Sequence, residues 1–318
     1  MRQDEPMSED GSDTPSPADD PHWPRASTWL TAGSTSSGED SGPRDLGIIG
    51  VPAHLTSLSP TRADTTPAAI RAALARYSTY SATHDVDLAS LTVRDFGDIP
   101  DPDGPDGEER VRTAIASAMA STSLLIAVGG DNSITHPVVT GIAGDGLAAA
   151  GLITLDAHHD LRDGISNGSP VRRLIEAGLP GDRIVQIGIA DFANSAEYAR
   201  RAHEFGITII TRDALRHRSP DTVMAEALDI AGSGGGPIHV DLDVDVCDRS
   251  IAPGCPASVP GGVSAGKLRH FAFVAGRSPR VRSIDITEID AMADAPDQRT
   301  VRLGALLILE AAAGFACR

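Results

Sequence analysis

The run Ile153-Thr154-Leu155-Asp156-Ala157-His158-His159-Asp160-Leu161-Arg162 carries apolar residues straight into carboxylates and an imidazole. On an extended chain alternate side chains share a side, so Asp156, His158 and Asp160 are expected to face one way. Carboxylate oxygen and imidazole nitrogen in that alternation suit a divalent metal ion. A second run, Ile238-His239-Val240-Asp241-Leu242-Asp243-Val244-Asp245-Val246, has Asp241, Asp243 and Asp245 at strand periodicity on one face. Three close carboxylates repel one another and tolerate burial only beside a cation or with protons bound. A third apolar run ends near Glu288, and Gly129-Gly130-Asp131-Asn132-Ser133 is a tight turn whose glycines let backbone approach a ligand. The same turn can cap a helix through Asp131, Asn132 or Ser133. It is too short to cradle phosphates, and the chain has neither a Gly-x-x-x-x-Gly-Lys motif nor a Gly-x-Gly-x-x-Gly loop after a first strand, so no nucleotide cofactor is expected.

These residues sit where apolar runs end, so strands must deliver them. From residue 45 onward short apolar runs alternate with helical stretches, the pattern of a parallel sheet covered by helices on both faces. Strands are predicted over 46–51, 91–96, 123–128, 151–155, 183–189, 207–211, 238–246 and 281–287. Helices are predicted over 67–77, 108–119, 134–142, 195–204, 222–231 and 265–274, with a last one over 301–316 that is apolar nearly all round and therefore buried. Eight strands with seven crossovers suit an open doubly wound sheet or a closed barrel, and in both ligands bind at the C-terminal ends of the strands.

With 318 residues, 41% of them hydrophobic, the chain can bury one large core, and residues 45–318 are expected to form one catalytic domain. Residues 1–44 are rich in Ser, Pro, Gly and acids, and a mobile acidic tail is expected there. Nine acids against three arginines leave that stretch at −6, so −11 of the total −17 belongs to the body. Trp23 and Trp29, both in the tail, either pack on the body or a neighbouring subunit or stay exposed. So acidic a chain is a poor partner for nucleic acid or anionic membranes. No apolar run reaches the roughly 18 residues needed to span a bilayer, and no signal peptide is evident, so a cytoplasmic location is expected. Cys247, Cys255 and Cys317 follow no zinc spacing and read as reduced thiols.

Taken in order, the GGDNS turn, the DAHHD strand end, the DVDVCDRSIAPG run and the ITEID segment resemble the four motifs of the ureohydrolase (arginase/agmatinase) superfamily. The resemblance runs over about residues 129–290, with compatible elements from 45 to the C-terminus. It implies a three-layer α/β/α fold with an open, mostly parallel eight-stranded sheet, two Mn2+ ions per subunit, and a homo-oligomer, trimer or hexamer. By position, Asp156 and Asp243 match carboxylates that bridge two manganese ions, Asp160 a ligand of the first, and His158 and Asp245 ligands of the second. Glu288 matches the acid that grips the substrate's planar cation.

Two positions depart from that pattern. Asn132 stands where most members have a histidine ligand of the first metal, which leaves an amide oxygen as the expected donor and a weakly held first ion. Asn167, in the segment 166–170 with Ser169, replaces a second histidine found in arginases and agmatinases. The formimidoylglutamases also lack that second histidine and resemble this chain in continuing as Asp160-Leu161-Arg162. An arginine there suits an anionic substrate, because a guanidinium can hold a carboxylate through two hydrogen bonds. Arg162, Asn167 and Ser169 are therefore the expected substrate-binding residues, with Arg172 and Arg173 as further candidates.

This likeness implies hydrolysis of N-formimidoyl-L-glutamate to glutamate and formamide by water that the ions make nucleophilic, with Glu288 on the amidinium and Asp160 passing a proton to the leaving nitrogen. A guanidino-compound hydrolase of the agmatinase or guanidinobutyrase type, releasing urea, is the second reading. A non-catalytic, metal-poor subunit is the third, and the five retained carboxylate and histidine positions speak against it.

Overall fold

The computed structural model describes residues 20, 22–32 and 43–318. The predicted apolar runs form the strands of one sheet that helices cover on both sides. In chain order they are β1 (Arg44–Val51), β2 (Val93–Asp98), β3 (Thr122–Gly129), β4 (Gly151–Leu155), β5 (Ile184–Ile189), β6 (Thr208–Thr211), β7 (Ile238–Asp243) and β8 (Val281–Thr287). All pair in parallel, side by side as β2-β1-β3-β8-β7-β4-β5-β6. β2 and β6 are free edges, so the sheet is open. A separate two-residue antiparallel pair joins Tyr80–Ser81 to Val86–Asp87.

The helices are α1 (Ala26–Ala32), α2 (Thr66–Ala73), α3 (Gly104–Met119), α4 (Thr135–Ala143), α5 (Pro170–Glu176), α6 (Ala196–Glu204), α7 (Pro220–Ala231), α8 (Ala265–Arg277) and α9 (Arg299–Ala316). One face of the sheet, with Ile48, Ile126, Ile153 and Val240, packs against α1, α2, α7, α8 and α9. The opposite face packs Ile49 and Leu125 against α3 and α4, and Leu152 and Ile184 against α5 and α6. This gives the three-layer arrangement that the sequence implies. On β7 and β8 the α4-facing side is polar instead. His239, Asp241 and Asp243 alternate there beside Ser283, Asp285 and Thr287, all at most 2% exposed.

Two local expectations are corrected. The strand predicted over 238–246 stops at Asp243, because the Asp243 carboxylate accepts the Asp245 N–H at 2.8 Å and turns Val244–Val246 into a 3-10 turn. The run from Asp156 to Asp160 is likewise not extended: Asp156 Oδ1 accepts the His158 N–H at 2.6 Å, and Asp160 has φ 53°. Short acids compete for neighbouring backbone N–H groups in this way, and simple alternation fails where they succeed.

Of the expected tail, residues 1–19, 21 and 33–42 lie outside the described residues. The described stretch contains α1, whose Ala26, Trp29 and Leu30 are buried in the core, with the Trp29 indole N–H donating to the Leu91 carbonyl at 3.2 Å. Positions i, i+3 and i+4 make an apolar stripe there, which the acid-rich flanks concealed. Trp23 is exposed, with the Arg25 guanidinium 4.2 Å from its ring centre. Among the described residues no helix is long and apolar enough to cross a membrane.

Candidate active site

Four neighbouring strands, β3, β8, β7 and β4, end on the same edge of the sheet and bring the four motifs together. A cavity of about 430 Å3 opens above them, with His158, Asp160, Asp243, Asp245 and Glu288 on an acidic side and Arg162, Asn167, Asn194, Ser195 and Tyr198 among the rest of its lining. Gly130 is required where the β3 turn meets the β1 loop, since a Cβ on it would lie 1.8 Å from the Ala53 carbonyl oxygen. The carbonyl of Gly130 in turn accepts the Glu288 N–H at 2.9 Å. Asp160 and Glu288 (φ 63°) both hold left-handed backbone conformations. Such strain costs on the order of 1–2 kcal/mol per residue and collects at functional positions.

Asp156, His158 and Asp245 each offer a ligand atom within 4.8 Å of the others. His158 Nδ1 lies 2.6 Å from Asp245 Oδ2 and 3.5 Å from Asp156 Oδ1. Asp156 Oδ2 is a buried carboxylate oxygen without a hydrogen-bond partner among the described residues, and a cation would supply the partner it lacks. The electrostatics agree. Burial and the Asp245 charge push Asp156 up to about 6. Burial and Asp156 raise Asp160 far above the carboxylate range, and burial and Asp245 do the same to Asp243. Burial also opposes the charge of His158, but Asp245 and Asp156 outweigh it and lift the imidazole to about 12. Oxygen and imidazole donors in this set fit manganese. Asp241 lies lower, below the cavity, raised by burial and by Asp285 on the adjacent strand.

Glu288 is raised to about 8 by burial and by Asp131. Its Oε1 accepts the backbone N–H of Asn132 at 2.9 Å and the Asn167 amide at 2.8 Å. Asn167 Oδ1 accepts the Leu58 N–H, so the whole Asn167 side chain serves to hold Glu288 and the rim.

A family model described as the arginase family matches residues 44–314. The chain belongs to the arginase family. A formimidoylglutamase from Halalkalibacterium halodurans is 36% identical over 83% of this chain and 85% of that one. The solved formimidoylglutamase of Bacillus subtilis superposes with a TM-score of 0.86 at 29% identity, covering 96% of this chain and 95% of the other. A Trypanosoma cruzi formiminoglutamase solved with Mn2+ matches in fold, with a TM-score of 0.83 at 24% identity over 93% of this chain and 99% of that one.

Within this arginase-family site three sequence expectations change. Asn132 turns its amide nitrogen, not its oxygen, to the centre: Nδ2 donates to Asp160 Oδ2 at 2.6 Å, while Oδ1 accepts from the hydroxyls of Thr135 at 2.7 Å and Thr287 at 3.3 Å. In this arrangement it offers no ligand. Ser169 is fully buried and outside the cavity lining, its hydroxyl donating to the Ser166 carbonyl at 2.8 Å. Arg172 is engaged by Glu176 and the Arg162 carbonyl, and Arg173 forks onto Glu108 at 2.8 and 2.6 Å. Sequence reasoning missed Asn194, which accepts the His159 N–H and donates to the Ala157 carbonyl, both at 2.9 Å, and so fixes the turn from Asp156 to Asp160 from outside. An asparagine between small residues carries no signal of that role.

Two predictions arise here. Asn132→His places an imidazole where no ligand now points, so manganese retained after dialysis is expected to rise and the manganese concentration for half-maximal activity to fall. Unchanged retention, measured by metal analysis, would show that the first ion needs no donor from this position. The second prediction concerns pH. Asp156 and Glu288 hold their protons more tightly in the folded metal-free chain than in the unfolded one, as does His158. The contribution of Asp156 and Glu288 to stability is complete below the ordinary carboxylate values of about 4 and that of His158 below the ordinary imidazole value of about 6.5, and each is lost as pH rises through the folded value. The Tm of metal-free protein is therefore expected to fall from about pH 5 to about pH 8, and manganese to raise Tm more at the higher pH. Equal increments at both would contradict the electrostatic account.

Proposed function

We propose that this chain hydrolyses N-formimidoyl-L-glutamate to L-glutamate and formamide, with two manganese ions held by Asp156, His158, Asp160, Asp243 and Asp245. One observation carries the reading beyond family membership. Arg162, an exposed residue on the cavity lining, has a guanidinium with no acid or hydrogen-bond partner among the described residues, in a pocket whose other charged side chains, His158 aside, are acids. The pocket is thus polarised for a substrate that is cationic at its reacting end and anionic at the other. Gly168 leaves room for this arginine, since a Cβ there would lie 2.8 Å from Arg162 Cδ.

When bound, the ions supply the positive charge that neutralises the acids and makes water nucleophilic near neutral pH. Glu288, pinned at Oε1 by Asn132 and Asn167, has Oε2 left to hold the amidinium, and the cation it receives offsets the cost of its buried charge. Water oxygen adds to the amidine carbon, and the bond from that carbon to the glutamate nitrogen breaks. A proton of the attacking water, passed on by Asp160, goes to the leaving nitrogen. Assembly as a trimer or hexamer and a cytoplasmic location belong to the same reading and rest on family likeness alone.

Product analysis tests it. Manganese-loaded protein is expected to release formamide and glutamate in equal amounts; ammonia and N-formylglutamate would mean that the wrong carbon–nitrogen bond has been assigned.

A further inference from the structure

Resting on the formimidoylglutamate reading, the cavity has to accommodate two carboxylates on one substrate. The acids at its base, Asp160, Asp243, Asp245 and Glu288, are taken up by the metal site and the amidinium and offer no donor to either. Arg162 is the single uncommitted cation on the lining among the described residues, and a guanidinium fork matches one carboxylate. The other polar side chains sort by what they already do. Asn167 and Asn194 are spent at both ends of their amides. Ser59 adjoins Leu58, which packs by Gly168 and Arg162, so it belongs to the arginine's side. Ser195 and Tyr198 remain. Ser195 Oγ accepts the Tyr198 N–H at 3.2 Å as the cap of α6, which leaves its own proton free to donate, and the Tyr198 hydroxyl has no partner among the described residues.

We propose that the substrate's two carboxylates are held at separate points, one by Arg162 and the other by the hydroxyls of Ser195 and Tyr198 at the start of α6. Arg201 links the two points. Its guanidinium lies 5.5 Å from the Tyr198 ring centre, pairs with Asp163 at 2.7 Å and Glu197 at 3.3 Å, and reaches the Leu161 carbonyl at 3.3 Å. It therefore ties the hydroxyl wall to the very loop that carries Arg162, and its charge is already engaged by two acids.

Steady-state kinetics on manganese-loaded enzyme separates the two points. Formimidoylglutamate is compared with N-formimidoyl-γ-aminobutyrate, which lacks the α-carboxylate, and N-formimidoyl-α-aminobutyrate, which lacks the side-chain carboxylate. Tyr198→Phe is expected to raise KM for formimidoylglutamate about tenfold, the scale of one lost hydrogen bond to a charged group, with kcat nearly unchanged. Ser195→Asp keeps a capping side chain but sets a negative charge against the substrate, and is expected to raise KM further. One analogue should be insensitive to Tyr198→Phe yet still penalised by Arg162→Met, and the other should show the reverse. An unchanged KM for Tyr198→Phe, or equal penalties on both analogues, overturns the two-point model. Wild-type enzyme that ignores formimidoylglutamate while hydrolysing a guanidino compound overturns instead the functional reading on which the model rests.

Discussion

Asp156→Ala is expected to abolish turnover and to strip manganese from the purified protein. Asp156 lies at the end of β4, is 1% exposed, offers a ligand atom within 4.8 Å of those of His158 and Asp245, and has an Oδ2 without a hydrogen-bond partner among the described residues. Removing it takes away a negative charge at the point where the ligand set converges. The fall in kcat/KM should be at least ~10³-fold, since losing even one preorganised donor to transition-state charge costs 10²–10³. A structural readout separates this from unfolding. In the metal-free protein Asp156 is a buried acid raised to about 6, so deleting it relieves rather than creates an uncompensated charge. The metal-free variant should therefore match or exceed the Tm of the metal-free parent above neutral pH, while losing the increment that manganese gives the parent. A variant that retains two ions and normal turnover would place the metal elsewhere.

Arg162→Met is expected to lower kcat/KM for formimidoylglutamate on the order of 10²-fold, mostly through KM, because two charge-assisted hydrogen bonds to a carboxylate are lost. Methionine keeps the stem that packs on Gly168 and removes only the guanidinium. Arg162→Lys should recover little, since an ammonium is a point charge without the planar fork. Turnover of agmatine, which has no carboxylate, should not fall with it. If agmatine is the better substrate of the parent, and Arg162→Met leaves formimidoylglutamate unaffected, the cavity is not polarised as described.

The central strands were legible because Ile, Val and Leu fill both faces of β3 and β4 and one face of β8, and the site was legible because each run breaks into acids at its C-terminal end. What escaped was decided by competition over short distances. Asp243 capturing the Asp245 N–H ended β7 three residues early, and Asp156 capturing the His158 N–H folded an expected strand end into a turn. Period counting has no term for either. The orientation of Asn132 depends on Thr135, Thr287 and Asp160, which come from different elements, so no local pattern could show that its oxygen faces away. Arg162, Arg172 and Arg173 look alike in a sequence. Only the fold shows Arg172 and Arg173 committed to acids and backbone, and Arg162 left free at the cavity.

The substrate assignment is tested most directly by kcat/KM of manganese-loaded protein on formimidoylglutamate, guanidinobutyrate, agmatine and arginine, measured side by side with formamide and urea as the products read. Formimidoylglutamate is expected to rank first, with formamide as the product and urea from the other three much slower. Urea released from any guanidino compound at a higher kcat/KM than formamide from formimidoylglutamate would contradict the assignment.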